Sequence, residues 1–501
     1  MSLPLRVVFT TIGLALAALL AAPTRAAVPQ PVAAGMPDLS QLSIGALAKI
    51  DITSVIKSPE PLSNAPAAIY VITHDEIMRS GARTIPEILR LAPNLDVARI
   101  SANTYAISAR GFNGGLADKL LVLIDGRSVY SPLFGGVYWD VQDIPPDDIE
   151  RIEVISGRGA TLWGANAVNG VINIITRNSR DTEGGELVMG GGNLGGGATV
   201  QYGGRLAPDL TYRAYLGDFY TAHSTTSTGA SAEDGWTKPQ GGFRLDWDPG
   251  ADAVTFQGDL YRGWENAPAA PNLDISGGDL LGKWRHRFAN GSALQVLTYY
   301  DNTTRAAAAA SGGGWVFDAY DLEVQHSFHL NSSNAIVWGV GDRVERYATS
   351  NTPSLGFLPA RDTLNLADIF AQDGIALSPR LQLTLGMKFE DDPYSGLAPL
   401  PSASLAWKVR DNVLLWGAVS RAVRAPTLFD TGLLESEYGI PILAGNPDFR
   451  SEKLIAYQLG TRIEITPDAS FSLSTYYNPH FPDRHWISRL RVPTLLLESM
   501  R

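Results

Sequence analysis

From residue 184 onward, apolar and polar residues alternate one by one through segment after segment, and this period of two constrains the fold more than any other feature of the chain. Leu381, Leu383, Leu385, Met387 and Phe389 share one face of a strand, with Gln382, Thr384, Lys388 and Glu390 on the other. Tyr320, Leu322, Val324 and Phe328 stand against Asp321, Glu323, Gln325 and Ser327 in the same way, as do Phe471, Leu473, Thr475 and Tyr477 against Ser470, Ser472 and Ser474. A soluble sandwich with one wet face alternates too, so the connections must separate the two architectures. Short turns at 208–209, 290–291, 379–380, 411–412 and 467–468 alternate with long polar loops near 221–238, 302–314, 348–362 and 424–450. That asymmetry is required of an antiparallel membrane barrel with short turns at one end and long loops at the other. The pattern yields about 15 strands.

The N-terminus supports export. Arg6 precedes an apolar run from Val7 to Ala22, then Pro23, and Thr24, Arg25 and Ala26 offer a small-residue cleavage site. The run is shorter than the roughly 20 residues a spanning helix needs, and no later stretch is apolar for long enough. A membrane position for the mature chain therefore requires strands closed into a barrel. With 501 residues and 45% hydrophobic composition the chain is not disordered, and its lack of cysteine removes disulfides, thiolate metal sites and cysteine nucleophiles together. A net charge of -11 without a dense basic run argues against nucleic acid as a partner.

Residues 149–177, IERIEVISGRGATLWGANAVNGVINIITR, join two apolar strands through a glycine-rich loop with no helix expected nearby. Gly157, Gly159 and Gly164 fit neither a phosphate loop nor a dinucleotide turn. The stretch closely resembles the end of the plug domain of TonB-dependent outer-membrane receptors, through Ile152 to Ile155, then Gly159, Leu162, Trp163 and Gly164, then Gly170 to Thr176. ISARGF at 107–112 and LVLIDGR at 121–127 extend the resemblance across 65–177, and WGAVSRAVRAPTLFD at 416–430 and GNPDFRSEK at 445–453 carry it into the barrel. Local signals agree with a mixed α/β plug. AIYVIT at 68–73 alternates like a strand, Asp75 is a candidate helix N-cap and Gly81 a stop, and Thr84 with Glu87 has capping-box spacing ahead of Ile85, Ile88 and Leu89. Further strands are expected at 95–100, 105–110 and 120–124, the last closed by the turn Asp125-Gly126.

The resemblance implies a mainly β fold: an N-terminal plug inside an antiparallel transmembrane barrel, here incomplete at about 15 of the 22 strands of plugged transporters. The expected divisions are a signal peptide at 1–26, a tether at 27–64, the plug at 65–180, a partial barrel at 181–478 and a foreign tail at 479–501. The tail has three prolines between 479 and 493 and no alternation. It reads as the end of a truncated or frameshifted receptor, whose open edges lipid could not satisfy and whose product would be degraded or aggregate.

The implied function is energised uptake of a scarce, large ligand through the outer membrane of a Gram-negative bacterium. A ferric siderophore leads and cobalamin follows; a non-functional remnant is the further alternative, and the plug argues against a passive porin. TonB would be the periplasmic partner, adding a strand to IDITSVIK at 50–57, within which Asp51, Ile52, Thr53, Ser54 and Val55 form the candidate TonB box. An ordinary linker or first plug strand is the alternative reading of those residues. Asn113, Phe134, Tyr138 and Trp139 are candidate ligand contacts at the plug apex, and the rings serve equally to pack the plug against the wall. Arg110 and Arg151 are candidate plug–barrel contacts, with Asp321 or Glu323 as partners. Many members carry Arg and Pro where this chain has Ser156 and Arg158, so the family's usual locking contact does not carry over. No catalytic set is discernible: Gly126 to Tyr130 fails the nucleophile-elbow pattern, His326 and His329 point to opposite faces, and methionine is scarce at 6. No enzyme activity, cofactor or metal is expected.

Overall fold

The computed structural model describes residues 51–52, 60–111, 113–115, 119–142, 144–157, 159–267, 271–308, 312–394, 396–466 and 469–481. The expected signal peptide, Thr53 to Val55, Arg158 and most of the 479–501 tail lie outside them.

The plug sheet has five strands in the order Ala68–Thr73, Ile149–Ser156, Gly170–Thr176, Leu120–Ile124, Arg127–Ser128. Ile149–Ser156 is antiparallel to both neighbours, while Leu120–Ile124 runs parallel to Gly170–Thr176. Leu120–Ile124 is buried at every position, as suits a central strand covered on both faces. It ends in a two-residue hairpin where Asp125 (φ 52°) and Gly126 (φ 102°) both take positive φ, the geometry a tight antiparallel turn needs. A separate hairpin pairs Asp96–Arg99 with Tyr105–Ser108.

Helix His74–Ser80 stops at Gly81 in the left-handed conformation, as expected, but its N-cap is Thr73 rather than Asp75. Thr73 Oγ1 accepts from Glu76 N, and Glu76 Oε2 accepts from Thr73 N at 2.8 Å, so the reciprocal box forms one residue before the helix and leaves Asp75 in its first turn. The box expected of Thr84 and Glu87 does not form. Glu87 instead accepts from Tyr105 Oη at 2.9 Å and pairs with Arg90, while Ile85, Ile88 and Leu89 bury the expected face. The glycine-rich loop also contains a turn of helix, Ala160–Trp163, where Leu162 N and Trp163 N donate to Gly159 O.

The barrel part is one antiparallel sheet whose path runs through 15 strands from Gly184–Gly192 to Ala469–Tyr477, each paired with its sequence neighbour on the path. Among the described residues the first and last strands are not paired with each other, and His480–Phe481 pairs back onto Glu452–Thr466. Leu385, Phe389, Tyr320, Leu322, Phe471 and Leu473 are exposed on the outer face, while Gln325, Thr384, Lys388 and Glu390 are buried on the inner one. The two-residue alternation thus presents hydrocarbon-compatible side chains outward.

The expected long loops lie at one end, with two differences. Strand Ala293–Ala307 runs on into the segment expected as loop, pairing Arg305 with Trp315. The loop after Val413–Arg424 is ordered by helix Leu428–Gly432 and by strands Leu433–Glu437 and Ile440–Ala444, which form a small sheet with Leu355–Phe357. Among the described residues no helix is long and apolar enough to cross a membrane.

Candidate functional site

Charged residues at inward positions of barrel strands need partners away from lipid, and the plug supplies them. Arg127, at the start of the strand after the Asp125-Gly126 turn, bonds Asp279 on Leu273–Arg287 at 2.9 Å and Asp301 on Ala293–Ala307. Asp125 accepts from Gln257 Nε2 at 2.8 Å and lies 3.8 Å from Arg244, both on barrel strands. Burial works against its charge, but Arg244 and Lys283 outweigh it and hold the Asp125 pKa below the usual carboxylate range. Asp148 faces Arg213 at 3.2 Å, and there burial prevails over the arginine and pushes the carboxyl up to about 6.

The contacts continue around the plug. Asp140 meets Arg305, Lys119 meets Glu452 at 3.4 Å, Ala165 N donates to Glu390 at 2.9 Å, and Arg462 donates to the carbonyls of Leu62 and Ala67. Ser179 N, at the plug's exit, donates to Asp246 at 2.8 Å. The plug is therefore encircled by directional, mostly charged bonds, between which lie separate apolar patches such as Val168 with Leu400 and Val423, and Leu162 with Val337 and Phe370. Such bonds resist displacement yet break in sequence under a pull, because each depends steeply on geometry.

The sequence-based candidates fall differently. Arg151 pairs at 2.9 Å with Glu153 inside the plug sheet, and Asp321 is bound by Arg343 on the adjacent barrel strand at 2.9 Å, which corrects the expected Arg151–Asp321 type of pairing. Arg110 faces the barrel, but through the ring of Tyr476, 4.3 Å from its guanidinium carbon. Ser156 bonds Asn94 across the plug at 2.8 Å instead of reaching the wall. Local patterning missed Arg127, Arg213, Arg244 and Arg305. The signal that could have found them is a charge at an inward-parity position of a barrel strand, or beside the tight plug turn.

At the external end the apex loop 131–138 meets the wall. Leu133 packs with Leu281, Leu297, Tyr299, Phe317 and Leu428, and Leu133 O accepts from Phe429 N at 2.8 Å, so the ordered outer loop rests on the apex. Phe134 and Tyr138 meet edge to face at 4.4 Å, Tyr138 stacks on Trp315 at 5.0 Å, and Arg305 lies 4.3 Å from the Tyr138 ring. Both rings keep partial exposure. Asn113 is half-buried, its amide 3.4 Å from Asp96 O. Trp139 differs from these three: it turns inward into the plug core with Ile72, Val122, Ile152 and Ile174.

Since the plug has a core of its own, a fragment spanning residues 45–180 is expected to unfold cooperatively on heating. Within it Trp139→Ala should cost about 3–5 kcal/mol, the usual penalty for emptying an aromatic core site. Denaturant titration of the fragment checks both; a featureless melt, or a variant within about 1 kcal/mol of the parent, would place Trp139 outside a cooperative core.

Among the described residues no group of three or more His, Asp or Glu side chains is arranged to hold a metal.

Comparison with known proteins returns two family models that together run through both parts. One, described as TonB-dependent Receptor Plug Domain, matches residues 61–171; the other, TonB dependent receptor-like, beta-barrel, matches 169–479. The chain is 24% identical to a ferric enterobactin receptor of Pseudomonas aeruginosa over 90% of its own length and 71% of that protein's. It is 35% identical to the vitamin B12 transporter BtuB of Vibrio vulnificus, but over 27% of the chain and 22% of the transporter. Among solved structures, the siderophore receptor PirA from Pseudomonas aeruginosa superposes with a TM-score of 0.63 at 21% identity, covering 82% of this chain and 74% of PirA. PirA from Acinetobacter baumannii gives 0.68 at 17% identity, over 83% and 70%.

Proposed function

Because the chain belongs to the TonB-dependent receptors, its barrel match alone spanning residues 169–479, we propose that it captures a ferric siderophore at the cell surface and delivers it to the periplasm. The family consists of outer-membrane β-barrel receptors and transporters of Gram-negative bacteria, not enzymes. The observation that carries the proposal is a lumen filled by a plug held through breakable ion pairs beneath an aromatic external mouth. A diffusion pore has no use for such an obstruction, whereas a gated carrier needs it.

The likeness to a ferric enterobactin receptor extends over 90% of the chain, which supports an iron complex as cargo. Cobalamin is the second reading, favoured by the higher identity to the B12 transporter over its shorter stretch. Partnership with TonB would run through residues 51–55, and export would remove residues 1–26.

The test is accumulation of radiolabelled ferric siderophore in iron-limited cells whose own receptors are deleted. Accumulation should collapse on adding a protonophore while surface binding persists. Accumulation insensitive to the protonophore would indicate a passive channel. Uptake of labelled cobalamin instead would establish the second reading, and absence of any binding a remnant.

A further inference from the structure

The seven connections on the external side, 193–194, 222–235, 266–272, 308–313, 351–360, 393–395 and 425–451, carry Glu233, Asp234, Asp430, Glu435, Glu437 and Asp448 against Arg450. Two of these carboxylates are committed within the protein. Asp234 accepts from Ala102 N and Ser224, and Asp430 holds Arg424 at 2.8 Å. Four carboxylates and one arginine remain to set the field over the entrance, and at the top of strand Arg361–Ser378 the neighbours Arg361 and Asp362 cancel.

Among the described residues beneath the entrance, the cations are already matched. Arg305 is held by Asp140 and by Glu265 at 3.1 Å, and Arg424 by Asp430 and by Glu452 at 3.4 Å. Lys119 also bonds Glu452. Lys238 is fully buried, with the rings of Phe219, Tyr261 and Trp236 at 5.2, 5.3 and 5.9 Å and Glu265 beside it. Arg99 closes its own turn onto Ser101 O and Ala102 O, and Arg110 covers Tyr476. Among the described residues, what the mouth offers a ligand is therefore ring faces and carboxylate charge. The partly buried rings Phe134, Trp315, Phe357 and Tyr394 gather around one apolar cluster, and aromatic faces attract cations and apolar surface but not anions.

Resting on the uptake reading above, we infer that the cargo is a ferric complex without net negative charge, of the tris-hydroxamate type, and that the mouth selects against polyanionic tris-catecholates. A like-signed field over a cleft slows entry and weakens binding of an anion, and salt relieves both effects. A neutral complex feels neither.

The experiment is fluorescence titration of the full chain in detergent, with protease resistance of the plug as the control for folding. The probes are a neutral iron(III) tris-hydroxamate, a trianionic iron(III) tris-catecholate and cyanocobalamin. The hydroxamate is expected to bind roughly tenfold or more tighter than the catecholate, whose affinity alone should rise with salt. In the variant Glu437→Lys with Asp448→Lys, catecholate binding should strengthen several-fold while hydroxamate binding stays within about twofold. Catecholate binding equal to or tighter than hydroxamate binding, or a variant that leaves both unchanged, overturns the charge inference and leaves ferric uptake standing. Binding of cyanocobalamin alone, or of no probe by protein with a resistant plug, overturns the uptake reading and this inference with it.

Discussion

Replacing Arg127 with alanine is expected to loosen the plug more than any other single change at the seam. Its guanidinium lies between Asp279 and Asp301 on adjacent barrel strands, and Arg127 and Asp279 are each 8% exposed at the side chain. Removing it leaves the buried Asp279 and the mostly buried Asp301 without their shared cation, and breaking a buried pair in this way costs about 3–5 kcal/mol. The variant should admit large antibiotics that the parent excludes and expose the plug to protease. Adding Asp279→Asn and Asp301→Asn removes the stranded charges and should restore most of the exclusion. A single variant as tight as the parent, or a triple variant as leaky as the single, would show that this cluster does not retain the plug.

Ile52→Pro is expected to lower energised uptake by roughly tenfold or more, with surface binding unchanged, since proline removes a main-chain donor that strand addition to TonB would use. Within the protein, Asp51–Ile52 pairs antiparallel with Glu60–Pro61, placing Ile52 opposite Glu60. A strand pairs along two edges, so this internal pair occupies one edge of Asp51–Ile52, and strand addition would use the other. Glu60→Pro provides the control. It breaks the internal pairing and leaves Ile52 intact, so uptake should survive. Equal loss in both variants would mean that the internal pair matters rather than strand addition, and retention in both would move the coupling segment elsewhere.

Both predictions rest on residues of different legibility. The candidate box at 51–55 was readable as a short β-prone stretch near the N-terminus, because extended propensity is a local property. Arg127 was readable only as the last residue of LVLIDGR. Nothing in its neighbourhood states that its partners lie more than 150 residues away on two strands whose own pattern is alternation. Arg151 is the reverse case, because its Glu153 partner stands two residues along the same strand and on the same face, a local pairing that the alternation of the strand already offered. The limit met at Arg127 also explains Trp139. The three aromatic residues at 134–139 look alike in sequence, yet Phe134 and Tyr138 meet the wall while Trp139 fills the plug core, a division set by one short turn at Trp139–Val141.

By itself the sequence determined whatever depends on period and local backbone chemistry. Alternation over 15 strands specified an antiparallel wall with an apolar outer face, the positive-φ turn at Asp125-Gly126 ended a central strand, and the apolar face of Ile85, Ile88 and Leu89 with the helix stop at Gly81 marked a plug with its own core. These survive because side-chain direction in a strand or helix follows from the backbone alone. Tertiary structure alone decided which inward charge meets which plug residue and that the external loop after Val413–Arg424 folds down onto the plug apex. Those outcomes depend on strand register and on how the plug is rotated within the wall. A pairing energy of a few kcal/mol at 3 Å falls away within a few ångströms, so no local pattern records which distant carboxylate will arrive within reach.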